Sequence, residues 1–177
     1  VERIVNLGEA FDYTGLEKER EDIMALCHAK ADAYRTAYRF LAAAGRLSHE
    51  TDDLLPPVFL SGKAEAAVGR LVLALKRTKK GAEKRIYISA IGTRGCIKLD
   101  TLQKKAKKIY AVTEKNGLEY LFMKHLYAAL LREGIEMTVC ATPLVSEHIE
   151  AIYVEGEDIL FAVMREEEAQ SADKIIN

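Results

Sequence analysis

The stretch Glu114–Leu121 has the position of a phosphate-binding loop but not its side chains. A working P-loop reads G-x-x-x-x-G-K-[ST], because its glycines let the backbone approach the phosphates, its lysine neutralises them and its hydroxyl binds Mg²⁺. Here Glu114 and Glu119 hold the two glycine positions, Tyr120 the lysine position and Leu121 the hydroxyl position. Two like charges about 4 Å apart repel by about 1–4 kcal/mol. The residues alone therefore predict an ordinary strand–turn–helix.

The stretch keeps only one interior glycine of the P-loop pattern, and this glycine follows a lysine and an asparagine. Lys115, Asn116 and Gly117 stand just ahead of a predicted helix, whose N-terminus offers free N–H groups and a partial positive charge. These three residues are the candidate cofactor-binding residues of a degenerate phosphate loop. We expect no catalytic residue and no metal ligands in this chain.

Basic residues are concentrated in one part of the chain, although the formal net charge is only −1. Residues 76–108 hold 12 Lys/Arg and two Asp/Glu, whereas residues 109–177 hold five Lys/Arg and 13 Asp/Glu. Two interpretations stay open. Either the basic block binds nucleic-acid phosphates or an acidic partner, or the acidic third of the same chain neutralises it. The candidate contact residues are Lys76, Arg77, Lys79, Lys80, Lys104, Lys105, Lys107 and Lys108.

Histidine and cysteine spacing gives no metal motif. The four histidines show neither HxxxH nor HExxH spacing, and the three distant cysteines are typical of reduced thiols in the cytoplasm. Cys140 lies within a strand pattern, which favours a buried inert thiol over a nucleophile paired with His148. The segment Glu147–Asp158 is rich in carboxylates but lacks the pattern of a calcium-binding loop.

Hydrophobic periodicity predicts the helices of the first half. Apolar residues at intervals of three, four or seven predict one helix from near Leu16 to Gly45 and a second over residues 63–80. The connection between them contains Pro56-Pro57, which opposes helix and strand alike. We interpret the two helices as an antiparallel helical hairpin.

From residue 85 the pattern changes to short strands and helices. A strand–helix–strand unit over 108–141 predicts a parallel sheet, and the last two strands fit a hairpin. The tail after residue 165 is acidic and poorly patterned. The predicted strands are 85–91, 108–113, 136–141, 149–154 and 158–164, and the predicted helices are 99–108 and 117–132, the latter stopped by Gly134.

Three segments resemble motifs of an uncharacterised bacterial family of P-loop ATPase-like proteins. They are Ile4–Asp12, Ala37–Ala44 and the strand and turn Tyr87–Gly95. Members of that family look like two tandem P-loop lobes joined by a helical hairpin. The resemblance covers residues 1 to about 163. It implies that the chain starts after a first lobe and contains the hairpin and the second lobe.

Laid on the family pattern, Gly117 matches a permitted interior glycine of the P-loop. Tyr120 and Leu121 stand where the family has its lysine and its serine or threonine. The chain therefore departs from the family at the most diagnostic motif. ATP and Mg²⁺ are implied by the resemblance only, and their binding is carried over to no residue.

The expected fold is a P-loop NTPase-like α/β lobe, with a mostly parallel sheet flanked by helices, plus an antiparallel helical hairpin. We predict an entry segment and hairpin over 1–84, the lobe over 85–165 and an acidic tail over 166–177. The expected function is a non-catalytic structural or regulatory part of a larger ATPase-like protein. The alternatives are a nucleic-acid or acidic-partner binding module that uses residues 76–108, and a retained nucleotide-binding ATPase lobe.

We also derive expectations for partners and location from the sequence. Another lobe of the same protein or a second copy is the expected partner. No stretch approaches 18 uncharged apolar residues, so no membrane association is expected and the cytoplasm is the expected compartment.

Overall fold

The computed structural model describes residues 8, 12–54, 61–75 and 82–176. The helices are α1 (Tyr13–Lys18), α2 (Arg20–Asp53), α3 (Ser61–Leu73), α4 (Thr101–Lys105), α5 (Leu118–Arg132) and α6 (Glu166–Ala169). The strands are β1 (Glu83–Ile86), β2 (Ser89–Gly92), β3 (Gly95–Lys98), β4 (Lys108–Thr113), β5 (Met137–Ala141), β6 (Ile149–Val154), β7 (Ile159–Met164) and β8 (Lys174–Ile176).

Six strands form one sheet in the order β1-β5-β6-β7-β4-β8. The pairs β1–β5, β4–β7 and β4–β8 are parallel, whereas β5–β6 and β6–β7 are antiparallel. The prediction of a mixed α/β fold with a mostly parallel sheet is confirmed, and so is the final hairpin. The strand–helix–strand unit β4–α5–β5 also forms, with β6 and β7 lying between its two strands. β2 and β3 make a separate antiparallel pair.

The central strands β5, β6 and β7 are buried on both faces, as expected for strands made mostly of apolar residues. On one face, α3 and α5 pack against the sheet through residues such as Val68, Leu126 and Leu130. On the other face, Ile88 and Leu102 cover it. This layering fixes the start of α5 beside the ends of β4 and β7.

The chain divides into two compact units, residues 1–43 and 44–177. The first contains α1, whose N-terminus is capped by the Asp12 carboxylate, and most of α2. The second contains the rest of α2 and all the strands. The predicted segments 1–84, 85–165 and 166–177, and the hairpin arrangement of the two long helices, stay predictions. None of the helices that the structure describes is long and apolar enough to cross a membrane.

The prediction that a helix ends at Gly45 is wrong, because α2 continues to Asp53. Gly45 is buried, and a Cβ atom there would lie 3.1 Å from the backbone oxygen of Leu144. The glycine therefore permits a close approach of the loop before β6 instead of stopping the helix. Residues 46–53, predicted as a connection, are the last turns of α2. Pro56-Pro57 lies outside the described residues.

Two other boundaries differ from prediction. The strand predicted over 85–91 is two strands, since β1 pairs with β5 and β2 pairs with β3. The tail, predicted as poorly patterned, forms regular structure. It contains α6 and then β8, which pairs with β4. Asp173 anchors this addition: its carboxylate accepts the N–H of Ile109 at 2.7 Å, and its own N–H donates to the Ile109 carbonyl. The helix predicted over 63–80 is described as Ser61–Leu73, and residues 76–80 lie outside the described part.

Candidate functional site

The loop between β4 and α5 turns sharply at two consecutive residues in the left-handed region. Asn116 has φ 54° and Gly117 has φ 95°. Asparagine and glycine tolerate this conformation better than other residues. The N–H of Glu114 donates to the carbonyl of Met164 at 3.1 Å, which ties the start of the loop to the end of β7. The sequence therefore builds a strand–turn–helix at the edge of the sheet where the parallel strands end, as predicted.

The carboxylate of Glu119 fills this turn. Its Oε2 atom accepts hydrogen bonds from the backbone N–H groups of Lys115 at 2.7 Å and Gly117 at 3.1 Å. Glu119 is only 6% exposed, although it stands in the first turn of α5. Unpaired N–H groups and the partial positive charge of a helix N-terminus both favour an anion. The Glu119 carboxylate therefore satisfies two N–H groups at the N-terminus of α5 from within the chain.

The second predicted carboxylate does not enter the turn. Glu114 is exposed, so only one of the two glutamates that stand in the glycine positions points inward. Of the candidate residues, Lys115 and Gly117 contribute backbone N–H groups to Glu119, and Asn116 contributes the left-handed turn between them.

Tyr120, in the first turn of α5, forms an aromatic pair with His148. The rings of Tyr120 and His148 are stacked, with centroids 4.3 Å apart and an angle of 10° between their planes. His148 is buried, and its ring also lies 6.0 Å from that of His49. The His49 ring nitrogen is 3.3 Å from a carboxylate oxygen of Glu147. The loop before β6 thus packs against the first turn of α5 through the stacked rings of His148 and Tyr120.

Three of the four described candidate residues of the basic block are ion-paired within the chain. Lys105 contacts Glu155 at 2.9 Å and Lys107 contacts Asp158 at 2.6 Å, and both acids belong to the acidic third. The hydrogen bond to Glu155 raises the pKa of Lys105. Lys104 pairs with Asp100 at 2.8 Å, and Lys108 is exposed. This pairing favours neutralisation within the chain. Lys76, Arg77, Lys79 and Lys80 lie outside the described residues, and nucleic-acid binding by the block stays a prediction.

A buried polar cluster that the sequence did not reveal joins β2 to β6. The Ser89 hydroxyl donates to the Glu150 carboxylate at 2.7 Å, and both residues are buried. Burial raises the pKa of Glu150, and the Ser89 hydrogen bond and nearby Lys98 counteract this only in part. Glu150 sits at the register shift between β5 and β6. Because nothing in local spacing marks a shift in pairing, sequence patterns could not have found this contact.

Cys140 lies beside this cluster and is fully buried. Burial, and then the charge of Glu150, raise the pKa of its thiol to about 12. A nucleophilic cysteine needs the opposite shift. The geometry therefore favours the inert thiol over the nucleophile paired with His148.

The carboxylates between Glu147 and Asp158 are dispersed among separate partners. Glu155 accepts from the Thr138 hydroxyl, and Asp158 accepts from the Tyr153 hydroxyl at 2.6 Å. No group of three or more His, Cys, Asp or Glu side chains within the described ranges is placed to hold a metal ion.

No protein-family model matches the chain, and neither the curated proteins nor the solved structures contain a significant match.

Proposed function

We propose that the chain is a non-catalytic, P-loop-like lobe that serves as a structural or regulatory part of a larger ATPase-like protein. The observation that carries the proposal is the hydrogen bonding of the Glu119 carboxylate to the N–H groups of Lys115 and Gly117. The resemblance of three segments to the family of tandem P-loop proteins supports placing the chain within a larger ATPase-like protein. Another lobe of the same protein or a second copy is the partner that we propose.

The electrostatics of the turn oppose nucleotide binding. A phosphate would have to displace Glu119 or sit beside its charge, and like charges about 4 Å apart repel by about 1–4 kcal/mol. Tyr120 supplies no positive charge, and Leu121 supplies no hydroxyl for Mg²⁺. The turn retains the backbone of an anion site and has lost the side chains that make such a site take a nucleotide.

The other features fit a lobe without chemistry of its own. The three cysteines are all free, in keeping with the reducing cytoplasm that we propose for the protein. Lys105 and Lys107, which would serve a nucleic-acid surface, are paired with carboxylates of the same chain. We therefore prefer the non-catalytic lobe to the nucleic-acid module and to a working ATPase lobe.

Calorimetric titration of the 177-residue chain with Mg²⁺–ATP tests the proposal. We expect no measurable binding up to about 1 mM nucleotide. Tight binding would favour a retained nucleotide-binding lobe and overturn the proposal. Adding a duplex oligonucleotide at low and then at higher salt tests the other alternative, because binding through phosphates weakens steeply with salt.

Amide hydrogen exchange tests whether Glu119 is the anion in the turn. The Glu119→Ala change should speed the exchange of the Lys115 and Gly117 amides, since both lose their acceptor. Glu114→Ala is the matched control, because that carboxylate is exposed and should leave both amides unchanged. Equal protection in the two variants would contradict the assignment.

A further inference from the structure

Helix α2 carries a stripe of exposed apolar side chains at intervals of seven residues. Leu26 is 70% exposed, Phe40 is 73% exposed and Leu47 is 66% exposed, and Ala33 completes the series. Seven residues are close to two helical turns, so these side chains lie along one line of the helix. A heptad repeat of this kind is typical of a seam that packs against another helix.

We propose that residues 26–43 of α2 pair with the same segment of a second copy of this chain, in an antiparallel helix pair. The segment lies within the first compact unit. At 1.5 Å per residue, its 18 residues extend about 27 Å. The inference selects the second copy from the two partners proposed above, and it does not depend on the role of the turn at Glu119.

The sizes of the side chains favour the antiparallel direction. The positions between the large residues of the stripe hold the small residues Ala29, Thr36 and Ala43. In an antiparallel pair centred between residues 34 and 35, Leu26 faces Ala43 of the second copy and Phe40 faces Ala29. A parallel pair in register would set Phe40 against Phe40 and alanine against alanine. Leu26 and Phe40 then each have a small partner and Ala33 faces Thr36 at the centre, whereas the parallel pair crowds the two Phe40 rings.

The charges beside the stripe favour the same arrangement. Asp32 and Arg39 occupy equivalent places, one residue before Ala33 and Phe40. In the antiparallel pair each Asp32 lies about 3 Å along the axis from Arg39 of the second copy, which gives two ion pairs by symmetry. In the parallel pair these positions meet alanines. The present contact of Asp32 with Arg35, at 2.6 Å, joins two exposed groups, and such pairs contribute little.

Sedimentation equilibrium of the full chain over a concentration series up to about 1 mM tests the pairing. We expect a monomer–dimer equilibrium. The Phe40→Ala change should weaken dimerisation by about tenfold or more, because Phe40 is the largest side chain of the seam. Tyr38→Ala is the matched control, since Tyr38 is also an exposed aromatic, at 63%, but lies on the far side of the helix. Circular dichroism confirms that both variants keep their helix content.

A charge exchange tests the direction. Arg39→Asp sets two aspartates together at each end of the pair and should weaken the dimer, and the double change Asp32→Arg with Arg39→Asp should restore it. A chain that stays monomeric throughout the series would overturn the proposal and leave the stripe to a different partner. Equal effects of Phe40→Ala and Tyr38→Ala would also overturn it, and so would failure of the double change to restore dimerisation.

Discussion

The Glu119 carboxylate accepts a hydrogen bond from the backbone N–H of Gly117 at 3.1 Å, two residues before it in the chain. The same oxygen also accepts from the N–H of Lys115. A side chain of the helix thus bends back over its own N-terminus and satisfies two donors that a bound anion would satisfy in a phosphate loop. The turn therefore needs no bound anion to satisfy these two N–H groups.

Removing Glu119 should destabilise the fold. Glu119→Ala removes two part-buried hydrogen bonds to a carboxylate, and we expect a loss of about 1–3 kcal/mol in the free energy of unfolding. Glu119→Gln keeps an acceptor oxygen without the charge and should lose less. Urea unfolding followed by circular dichroism measures both. If Glu119→Ala were as stable as the exposed-site control Glu114→Ala, the contact would have no structural role.

The stack of Tyr120 on His148 should contribute to stability as a pair. Tyr120→Phe keeps the ring and its stack on His148, whereas Tyr120→Ala removes both. A double-mutant cycle with His148→Ala should give a coupling of about 0.5–1.5 kcal/mol, which is typical of aromatic pairs. Additive effects of the two alanine changes would show that the rings are neighbours without an energetic interaction.

Glu150 should make the protein less stable as the pH rises. Burial raises its pKa in the folded state, so between its ordinary pKa and the raised value the folded chain holds a proton that the unfolded chain releases. The resulting penalty develops as the pH rises from about 4.3. We therefore expect Glu150→Gln, which still accepts from Ser89, to be more stable than the native chain at neutral pH and to lose this advantage in acid.

Glu147→Gln is the control of opposite sign. Hydrogen bonds from its own backbone N–H and from Ser146, then the contact with His49, lower the pKa of Glu147. Its ionised form adds stability above its ordinary pKa, and this is lost as the pH falls through the lowered value. Thermal unfolding across a pH series should show opposite slopes for the two differences from the native chain. Parallel slopes would contradict the assignment of the Glu150 penalty.

The three cysteines should differ sharply in reactivity. Cys27 and Cys96 are exposed, whereas Cys140 is buried with a pKa of about 12. Because the thiolate is the reacting form, iodoacetamide should label Cys27 and Cys96 in the native chain and Cys140 only in urea. Peptide mass spectrometry identifies the modified residues. Rapid labelling of Cys140 in the native chain would place it in an accessible and polar site instead.

The sequence by itself determined the elements around the candidate site. Alternating and helical periodicities depend on local burial, so β4, α5, β6 and β7 could be placed from the residues alone, within a residue or two of their observed limits. The absence of a P-loop lysine and hydroxyl from Glu114–Leu121 is also a property of the sequence, since no fold can give Tyr120 a positive charge or Leu121 a hydroxyl.

Only the tertiary structure decided how these elements are used. That Glu119 enters the turn and Glu114 does not depends on the left-handed torsions at Asn116 and Gly117. The Ser89–Glu150 contact joins residues 61 positions apart across a shift in strand register. Gly45 reads as a helix end in sequence, but it lies within α2, where the missing side chain leaves room for the Leu144 carbonyl. Each of these features depends on contacts between residues that are distant in the sequence and are brought together by packing. Local periodicity carries no information about such contacts.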